Sequence, residues 1–441
     1  MNAREALGAR EVALSVVRDV FGPEHRAAQA ALDVRARRAR LDLRDRAFAA
    51  ELAYGSIKQR RLIDWYLKPY LAGRAKALPP AIAEILRLGV YQLRFMGGVE
   101  DRAAVFETVA LASRHGHRGT AGLVNAILRR MIADTPPAPQ PDDFENENDF
   151  IAVAFSVPTW IATAWRRTFD GALEALLAGI NAAPQQAVRV NALRAEVEQV
   201  AAEIGASGAT VRRSAFVAET LLVDGRALAD DPGLRWSLQG EAACMAVDIL
   251  APQPGERVLE LCAGRGNKSV QIAARMQGRG ELECVERDAA KARALETTLR
   301  EAGADNAAVV LGDATVASGA AAGAVLLDAP CSGLGILGRH PEARWRKSPD
   351  AAARLAVAQA AMLRAAASRV EPGGRIVYSV CSNDPREGIE VIESFLSEWP
   401  AFERVPLPAR YEPFARDGDL VVPPGIDGRD GFFIASLRRV E

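Results

Sequence analysis

The stretch Arg257-Val-Leu-Glu-Leu261-Cys262-Ala-Gly-Arg-Gly-Asn-Lys268 reads as a short apolar strand that runs into a glycine-punctuated turn, and Ser269 to Met276 after it carry the spacing of a helix. Strand, glycine turn and helix in that order open a doubly wound α/β unit, whose ligands bind in the loops after the strands. The same order recurs downstream. Leu282-Glu-Cys-Val-Glu286 reads as a second strand, followed by a helix over Ala289–Glu301. Val309-Val-Leu311, Ala324-Val-Leu-Leu327 and Arg375-Ile-Val-Tyr378 read as further strands, with a long Ala-rich helix from Ala351 to Val370 before the last. The expectation is a Rossmann-like α/β domain over residues 239–441.

Three segments precede it. Residues 151–238 read as a small α/β subdomain: a strand-like Ala187-Val188 leads into Arg189-Val-Asn191, Val197–Ile204 is helical in pattern, and Thr220-Leu-Leu-Val223 is a short strand. No catalytic spacing occurs there, so its expected role is to add substrate-contacting surface. Residues 132–150 hold Thr135-Pro-Pro-Ala-Pro-Gln-Pro141 and then the acidic run Asp142 to Asp149, a composition expected to form a linker rather than a helix. Residues 1–131 carry apolar side chains at helical spacing, among them Val16, Val17 and Val20, then Phe48, Leu52, Ile57, Leu62 and Ile63, then Ile82, Ile85, Leu86, Leu88 and Val90. Pro79 and Pro80 suit the first turn of the last group, because a helix start leaves its N–H groups unpaired. An all-α N-terminal bundle is expected.

Charge separates these parts more sharply than the total of −1 over 441 residues suggests. Residues 1–131 carry 23 Lys and Arg against 13 Asp and Glu, while the remainder carries 32 against 43. Basic residues gather at Arg35, Arg37, Arg38, Arg40, Arg44 and Arg46 and again at Lys58, Arg60 and Arg61, so the bundle is expected to meet a polyanion. No run of about 18 apolar residues occurs, and Arg4, Glu5, Arg10, Glu11 and Arg18 break up the first stretch, so neither a membrane span nor a secretory signal is expected. The chain reads as cytoplasmic, without a membrane partner. The five cysteines include no C-x-x-C pair, and the four histidines do not gather with carboxylates, so no disulfide framework, no metal site and no histidine-centred mechanism is expected.

What remains is a set of loops at strand ends. Glycines in Cys262–Lys268 let backbone approach a ligand at a helix N-terminus, but a dinucleotide fingerprint needs a third glycine where Ser269 stands, which counts against a nicotinamide-dependent oxidoreductase. Glu286 closes the second strand and Gly312-Asp313 the third, and acids at successive strand ends favour a nucleoside-bearing cofactor. The fourth strand delivers Leu326-Leu-Asp328-Ala-Pro330-Cys331-Ser-Gly333, and the fifth delivers Tyr378-Ser-Val-Cys381-Ser382. A buried structural role is the commonest fate of one cysteine. Two at adjacent strand ends, beside Asp328 and a nucleoside pocket, point to thiolate chemistry. A thiolate that adds to C6 of a pyrimidine turns C5 into a carbon able to attack a methyl sulfonium, and an acid at the N3 edge stabilises that adduct.

On these residues the segment from Gln239 to Leu437 resembles the S-adenosylmethionine-dependent RNA cytosine-5 methyltransferases of the Nop2/Sun family. Cys262–Lys268 is similar to the family's cofactor loop, Asp328-Ala-Pro-Cys331-Ser-Gly and Ser379-Val-Cys381-Ser to its two cysteine motifs, and Asp430-Gly-Phe-Phe-Ile-Ala435 to its closing strand. Ser156-Val-Pro-Thr-Trp160 and Arg189-Val-Asn191 resemble the short domain before the catalytic one. Residues 1–131 resemble the NusB-like RNA-binding domain of the bacterial small-subunit ribosomal RNA members, through Asp45–Phe48, Glu51–Gly55, Leu86–Gln92 and Gly122–Arg129.

The resemblance implies S-adenosyl-L-methionine as cofactor and small-subunit ribosomal RNA as partner; the chain is expected to be a monomer. It implies Cys381 as nucleophile, Cys331 as the thiol that assists product release, and Asp328 as the acid at the cytosine N3 edge, itself part of the cofactor site. Glu286 would take the cofactor ribose, Asp313 its adenine, and the backbone of Cys262, Ala263, Gly264, Arg265, Gly266, Asn267 and Lys268 its methionine end. The target base would leave its stack to reach both sulfurs. There are three departures from the family pattern: Gly264-Arg265-Gly266-Asn267 stands for the usual Ala-Pro-Gly-Gly, Val380 for a threonine, and Gly388 for an asparagine after Glu387. The altered loop leaves a second reading open, a ribosome-assembly or RNA-binding protein of the same fold without activity.

Overall fold

A computed structural model describes residues 8–71, 78–169, 171–225, 228, 231, 233–316 and 318–440; Arg4 and Glu5 lie outside the described residues. The chain forms two compact units, one of Met1–Asn181 with His340–Arg346, the other of Ala182–Arg339 with Lys347–Glu441.

The first unit is helical. Helices α1 (Ala9–Phe21), α2 (Ala28–Ala39), α3 (Leu43–Lys58), α4 (Arg60–Leu71), α5 (Pro80–Phe95), α6 (Asp101–His115) and α7 (Arg118–Ala133) are followed by α8 (Glu147–Ala154), α9 (Thr159–Thr168) and α10 (Leu173–Asn181). The apolar stripes read from the sequence make its core, with Val16, Leu52, Ile57, Ile63, Ile82, Ile85 and Leu86 fully buried. Pro80 occupies the first turn of α5, as its missing N–H allows.

The proline-acid stretch departs from its linker reading. After one 3₁₀ turn at Pro141–Asp143, helix α8 starts at Glu147, inside the acidic run. Asn146 caps it, its side-chain oxygen accepting from Asp149 N at 2.9 Å. Acids are favourable in a first turn, where the helix dipole is positive, so Glu147 and Asp149 start this helix rather than prevent it. Phe144 stacks on Trp65 of α4 with ring centroids 5.0 Å apart, which packs the stretch onto the bundle.

The residues His340-Pro-Glu-Ala-Arg-Trp-Arg346 pack within this helical unit although they arise from the middle of the α/β segment 239–441; Ala343–Arg346 form the short helix α15. Arg344 is completely buried, with Nη1 donating to Asn181 Oδ1 at 2.7 Å and to the Ser156 carbonyl at 3.2 Å. Burial pulls the guanidinium down to about 9. Trp345 Nε1 donates to the Ile57 carbonyl at 2.8 Å, Arg346 to the Arg26 carbonyl at 2.7 Å, and Glu342 accepts from Ala28 N at the start of α2.

The second unit holds two sheets. Strands β1 (Gln186–Val190), β2 (Thr210–Arg213), β3 (Thr220–Asp224) and β4 (Trp236–Leu238) form an antiparallel sheet in the order β2-β3-β1-β4, with α11 (Val197–Ala206) against Val188, Val190, Leu221 and Val223. Strand β1 runs past Val188, because Val190 continues the alternation onto the same buried face.

The larger sheet contains β5 (Arg257–Leu261), β6 (Glu281–Glu286), β7 (Ala307–Leu311), β8 (Ala322–Asp328), β9 (Val370–Val380), β10 (Phe402–Arg404), β11 (Ala415–Arg416), β12 (Asp419–Val422) and β13 (Phe432–Arg439). Its order is β11-β12-β13-β9-β8-β5-β6-β7, with β10 beside β13. Strands β5 to β9 pair in parallel, as the strand-helix alternation predicts, and β13 runs antiparallel to β9. The extra antiparallel strands had no signal in the sequence reading, since β10, β11 and β12 are two to four residues long and carry no period. Helices α12 (Glu241–Leu250), α13 (Asn267–Arg275), α14 (Ala289–Ala302), α16 (Pro349–Ala367) and α17 (Ile389–Glu398) complete the unit. Val258, Leu282, Leu326 and Val377 are buried on one face of the sheet and Leu259, Leu261, Val325, Leu327 and Ile376 on the other, which is why these strands read as unbroken apolar runs. Strand order reverses at β5, between β8 and β6, so the loops after β5 and β8 diverge and leave a crevice at their carboxyl ends. Among the described residues of the protein, no helix is long and apolar enough to cross a membrane.

Candidate active site

Every site residue expected from the sequence lies at the carboxyl edge of the larger sheet. After β5 the backbone turns through Cys262, Gly264 and Gly266 at φ of 62°, 63° and 96°, then enters α13 at Asn267. The two glycines do different work. A Cβ on Gly266 would stand 2.7 Å from Leu295 Cδ1, so this residue lets the loop close onto α14. A Cβ on Gly264 would meet nothing nearer than the Cys262 carbonyl at 4.0 Å, so that side of the loop is open. Arg265 and Asn267 are exposed and Ala263 is buried.

Glu286, at the end of β6, is 5% exposed and ties two loops together: Oε2 accepts from Gly264 N at 2.9 Å and Oε1 from Asp288 N at 2.8 Å. Asp313, after β7, is exposed, and its Oδ1 accepts from the Thr315 amide and hydroxyl at 2.8 and 2.7 Å. Those bonds hold its carboxyl below the ordinary value.

Across the reversal point, Asp328 ends β8. Its Oδ2 accepts from Lys268 Nζ at 2.7 Å and its Oδ1 from Ser379 Oγ at 3.3 Å. Burial works against the charge on Lys268, but Asp328 outweighs it and holds the ammonium above its ordinary value, with a lesser contribution from the Cys381 sulfur. The Lys268–Asp328 pair thus joins the loop after β5 to the loop after β8. Sequence reasoning had both residues and missed their pairing, because 60 residues separate them and no local pattern records the contact.

The two rim cysteines meet, with Cys331 Sγ and Cys381 Sγ 3.2 Å apart as free thiols. Its contact with Cys381, then burial, pushes the Cys331 thiol well above the ordinary value, so it stays protonated at neutral pH. The other three cysteines differ. Cys244 and Cys284 are completely buried, and burial pushes the thiol of Cys244 up to about 12, as it does that of Cys262, whose sulfur lies 3.9 Å from Met362 Sδ. Two of the three departures from the family pattern have local reasons. Val380 is fully buried among apolar side chains, where a hydroxyl would need a partner. A Cβ on Gly388 would stand 2.9 Å from the Phe433 ring.

The molecule can be set against known proteins on this geometry. The family model described as 16S rRNA methyltransferase RsmB/F matches residues 247–438, the NusB family matches 7–133, and the RsmF/B-like ferredoxin-like methyltransferase domain matches 157–228. Ribosomal RNA small subunit methyltransferase B of Thermus thermophilus is 37% identical over 421 residues, which span 94% of each chain. The chain belongs to the RsmB/F methyltransferase family. A second relative, the probable ribosomal RNA small subunit methyltransferase B of Bacillus subtilis, is 31% identical over 413 residues, covering 90% of this chain and 91% of its own. The crystal structure of PH0851 covers 99% of this chain and 100% of its own at 25% identity, with a TM-score of 0.81. The helical unit therefore contains the family's NusB domain, the four-stranded sheet is its ferredoxin-like domain, and the larger mixed sheet is its methyltransferase domain. The cysteine pair and the Lys268–Asp328 pair fall within the methyltransferase match.

Proposed function

We propose that this RsmB/F methyltransferase acts as a cytoplasmic monomer that places a methyl group on C5 of a cytosine in small-subunit ribosomal RNA, with Cys381 as nucleophile. The single observation that carries the reading is the meeting of two thiols, 3.2 Å apart, beside the Asp328 carboxylate at the edge of the sheet.

The residues present suit S-adenosylmethionine. Glu286 and Asp313 are acceptors at successive strand ends, matched to ribose hydroxyls and an adenine amine. Each Glu286 oxygen accepts one backbone N–H and keeps a lone pair for a hydroxyl. The open side of Gly264 leaves room for the methionine end along Cys262–Lys268. Two carboxylates, Glu286 and Asp313, favour a cationic sulfur. When bound, S-adenosylmethionine supplies a methyl group activated on that sulfur.

The protein's own task is to make C5 reactive. Addition of the Cys381 sulfur, as thiolate, to C6 forms a C–S bond and breaks the C5=C6 π bond, whose electron pair moves through C5 and C4 to N3; N3 takes a proton from Asp328, which acts as an acid, and returns it when C5 is methylated. Ser379 and Lys268 fix that carboxylate from both sides. Once C5 carries the methyl group, water as base takes its hydrogen as a proton, the C–H electron pair re-forms the C5=C6 double bond, and the C–S bond breaks with its pair left on the Cys381 sulfur. Cys331, a thiol in contact with the departing sulfur, assists this release.

The helical unit supplies the RNA anchor. Arg35, Arg46 and Arg60 are committed to ion pairs with Asp19, Asp33 and Glu84, whereas Arg37, Arg38, Arg40 and Arg44 are exposed and face solvent for phosphate contacts.

The test replaces each cysteine. Cys381→Ala should abolish methyl transfer to ribosomal RNA, a loss of at least about 10³-fold in rate. Cys331→Ala should accumulate a covalent RNA–protein species that survives denaturing electrophoresis. Methylation of cytosine C5 by the Cys381→Ala protein, read by bisulfite sequencing, would overturn the assignment.

A further inference from the structure

Behind the two thiols, Glu387 is a buried carboxylate with 0% exposure, and among the described residues no lysine or arginine forms an ion pair with it. A buried charge without a counter-ion is costly unless donors surround it, and such a group is hard to account for as packing alone. Its oxygens are fully engaged. Oε1 accepts from Ser332 N at 2.7 Å and from Gln359 Nε2 at 3.1 Å; Oε2 accepts from Ser382 Oγ at 2.6 Å and from Ser332 Oγ. The two hydroxyls lie 3.0 Å apart, and Gln359 Nε2 also donates to the Pro330 carbonyl at 2.9 Å.

The partners of this carboxylate are ordered by the chemistry beside them. Ser332 follows Cys331, Ser382 follows Cys381, and Pro330 precedes Cys331, so Glu387 bonds directly to the residue after each thiol and, through Gln359, reaches the residue before Cys331. Glu387 is itself held, since Tyr378 Oη donates to its carbonyl at 2.6 Å. We propose that Glu387 is a positioning residue that clamps the Cys331 and Cys381 loops in register and sets the separation of the two sulfurs. It touches neither reacting atom. Its charge also stands against ionisation of Cys331, in the same direction as the Cys381 contact and burial.

The inference rests on the proposed thiol chemistry but can be tested apart from it. Phenylarsine oxide bridges two close thiols, and its affinity for the full-length protein reports their register without any methyl transfer. Cys331→Ser should abolish binding and so identify the pair. Glu387→Ala should weaken binding at least tenfold and lower kcat at least 100-fold, with KM for S-adenosylmethionine within threefold of the unaltered protein. Glu387→Gln keeps an acceptor for Ser332 N and turns the hydroxyls into acceptors, so it should hold the thiols in register, with binding within threefold and kcat within tenfold. Where Glu387→Ala does not fold, Ser382→Ala removes one arm of the clamp and should weaken binding about threefold. Unchanged arsenical binding in Glu387→Ala or in Ser382→Ala, equal losses in Glu387→Gln and Glu387→Ala, or no binding by the unaltered protein would each overturn the clamp. Continued methylation by Cys381→Ala alongside Glu387-dependent arsenical binding would overturn the functional reading and leave the clamp standing.

Discussion

The loop at Cys262–Lys268 and the thiol rim at Cys331 and Cys381 lie on the same edge of one sheet, yet they keep their shapes by opposite means. The loop is shaped by backbone: three residues at positive φ, one glycine pressed against α14 and another facing open space. The rim is shaped by side chains, with serines, a glutamine and a buried carboxylate holding two short turns together. The loop should therefore be sensitive to an added Cβ at Gly266 and tolerant of exchange around it, which agrees with Gly264-Arg265-Gly266-Asn267 in place of Ala-Pro-Gly-Gly, since Gly266 is the position the two share. The rim should behave the other way, bearing few polar deletions.

The strongest way to break this contrast is at the one ion pair shared by both regions. Asp328→Asn removes the partner of Lys268 and the acid beside the thiols together, and kcat should fall on the order of 10²- to 10³-fold in a methyl-transfer assay. A loss under tenfold would mean the two regions act independently.

The floor beneath the loop gives a pH test. Burial pushes Glu260, a fully buried residue of β5 that accepts from Cys284 Sγ, up to about 7. Because its folded value lies above its unfolded one, the native state holds this proton longer. Its stabilising effect is fully present below the unfolded value of about 4.5 and is lost as pH rises to about 7. Glu260→Gln should remove that loss, a gain of at most about 3 kcal/mol above neutrality relative to the unaltered protein, seen in urea melts between pH 5 and pH 8. A difference between the two proteins that does not change with pH would show that Glu260 is not buried as a neutral acid.

Gly266→Ala tests the backbone side directly. Its φ of 96° and the 2.7 Å approach to Leu295 should cost roughly 1–3 kcal/mol, read as a lowered melting temperature with weaker S-adenosylmethionine binding in calorimetry. Gly264→Ala has the smallest expected effect, about 1 kcal/mol for a left-handed alanine without a clash. Equal effects at the two glycines would erase the distinction between closure onto α14 and an open face.

Much of this site was legible because its residues sit at strand ends, where apolar runs stop and glycines, acids and cysteines begin. Leu261, Glu286, Asp328 and Val380 each end a strand, so local period alone placed Cys262, Cys331 and Cys381 on one edge. The clamp was not legible. Glu387 binds residues 5 and 55 positions away, and its only trace in the sequence is the repeat of Cys-Ser at 331–332 and 381–382. The start of α8 was hidden for another reason: the proline-acid composition reads as a linker, while the cap at Asn146 and the acids Glu147 and Asp149 in the first turn favour a helix start.

Residues 340–346 carry a consequence for how the chain is made. A ribosome releases an N-terminal domain first, and such a domain ordinarily folds while the rest is still being translated. Here Asn181 and the carbonyls of Ile57 and Ser156 wait for Trp345 and Arg344, more than 160 residues later in synthesis. The helical unit reaches its final packing only after four of the nine strands of the methyltransferase sheet, β5 to β8, have been made. The two parts are thus bound to one gene: a recombination that exchanged either alone would leave the bundle with an open slot and the incoming partner with a peg cut for another hole.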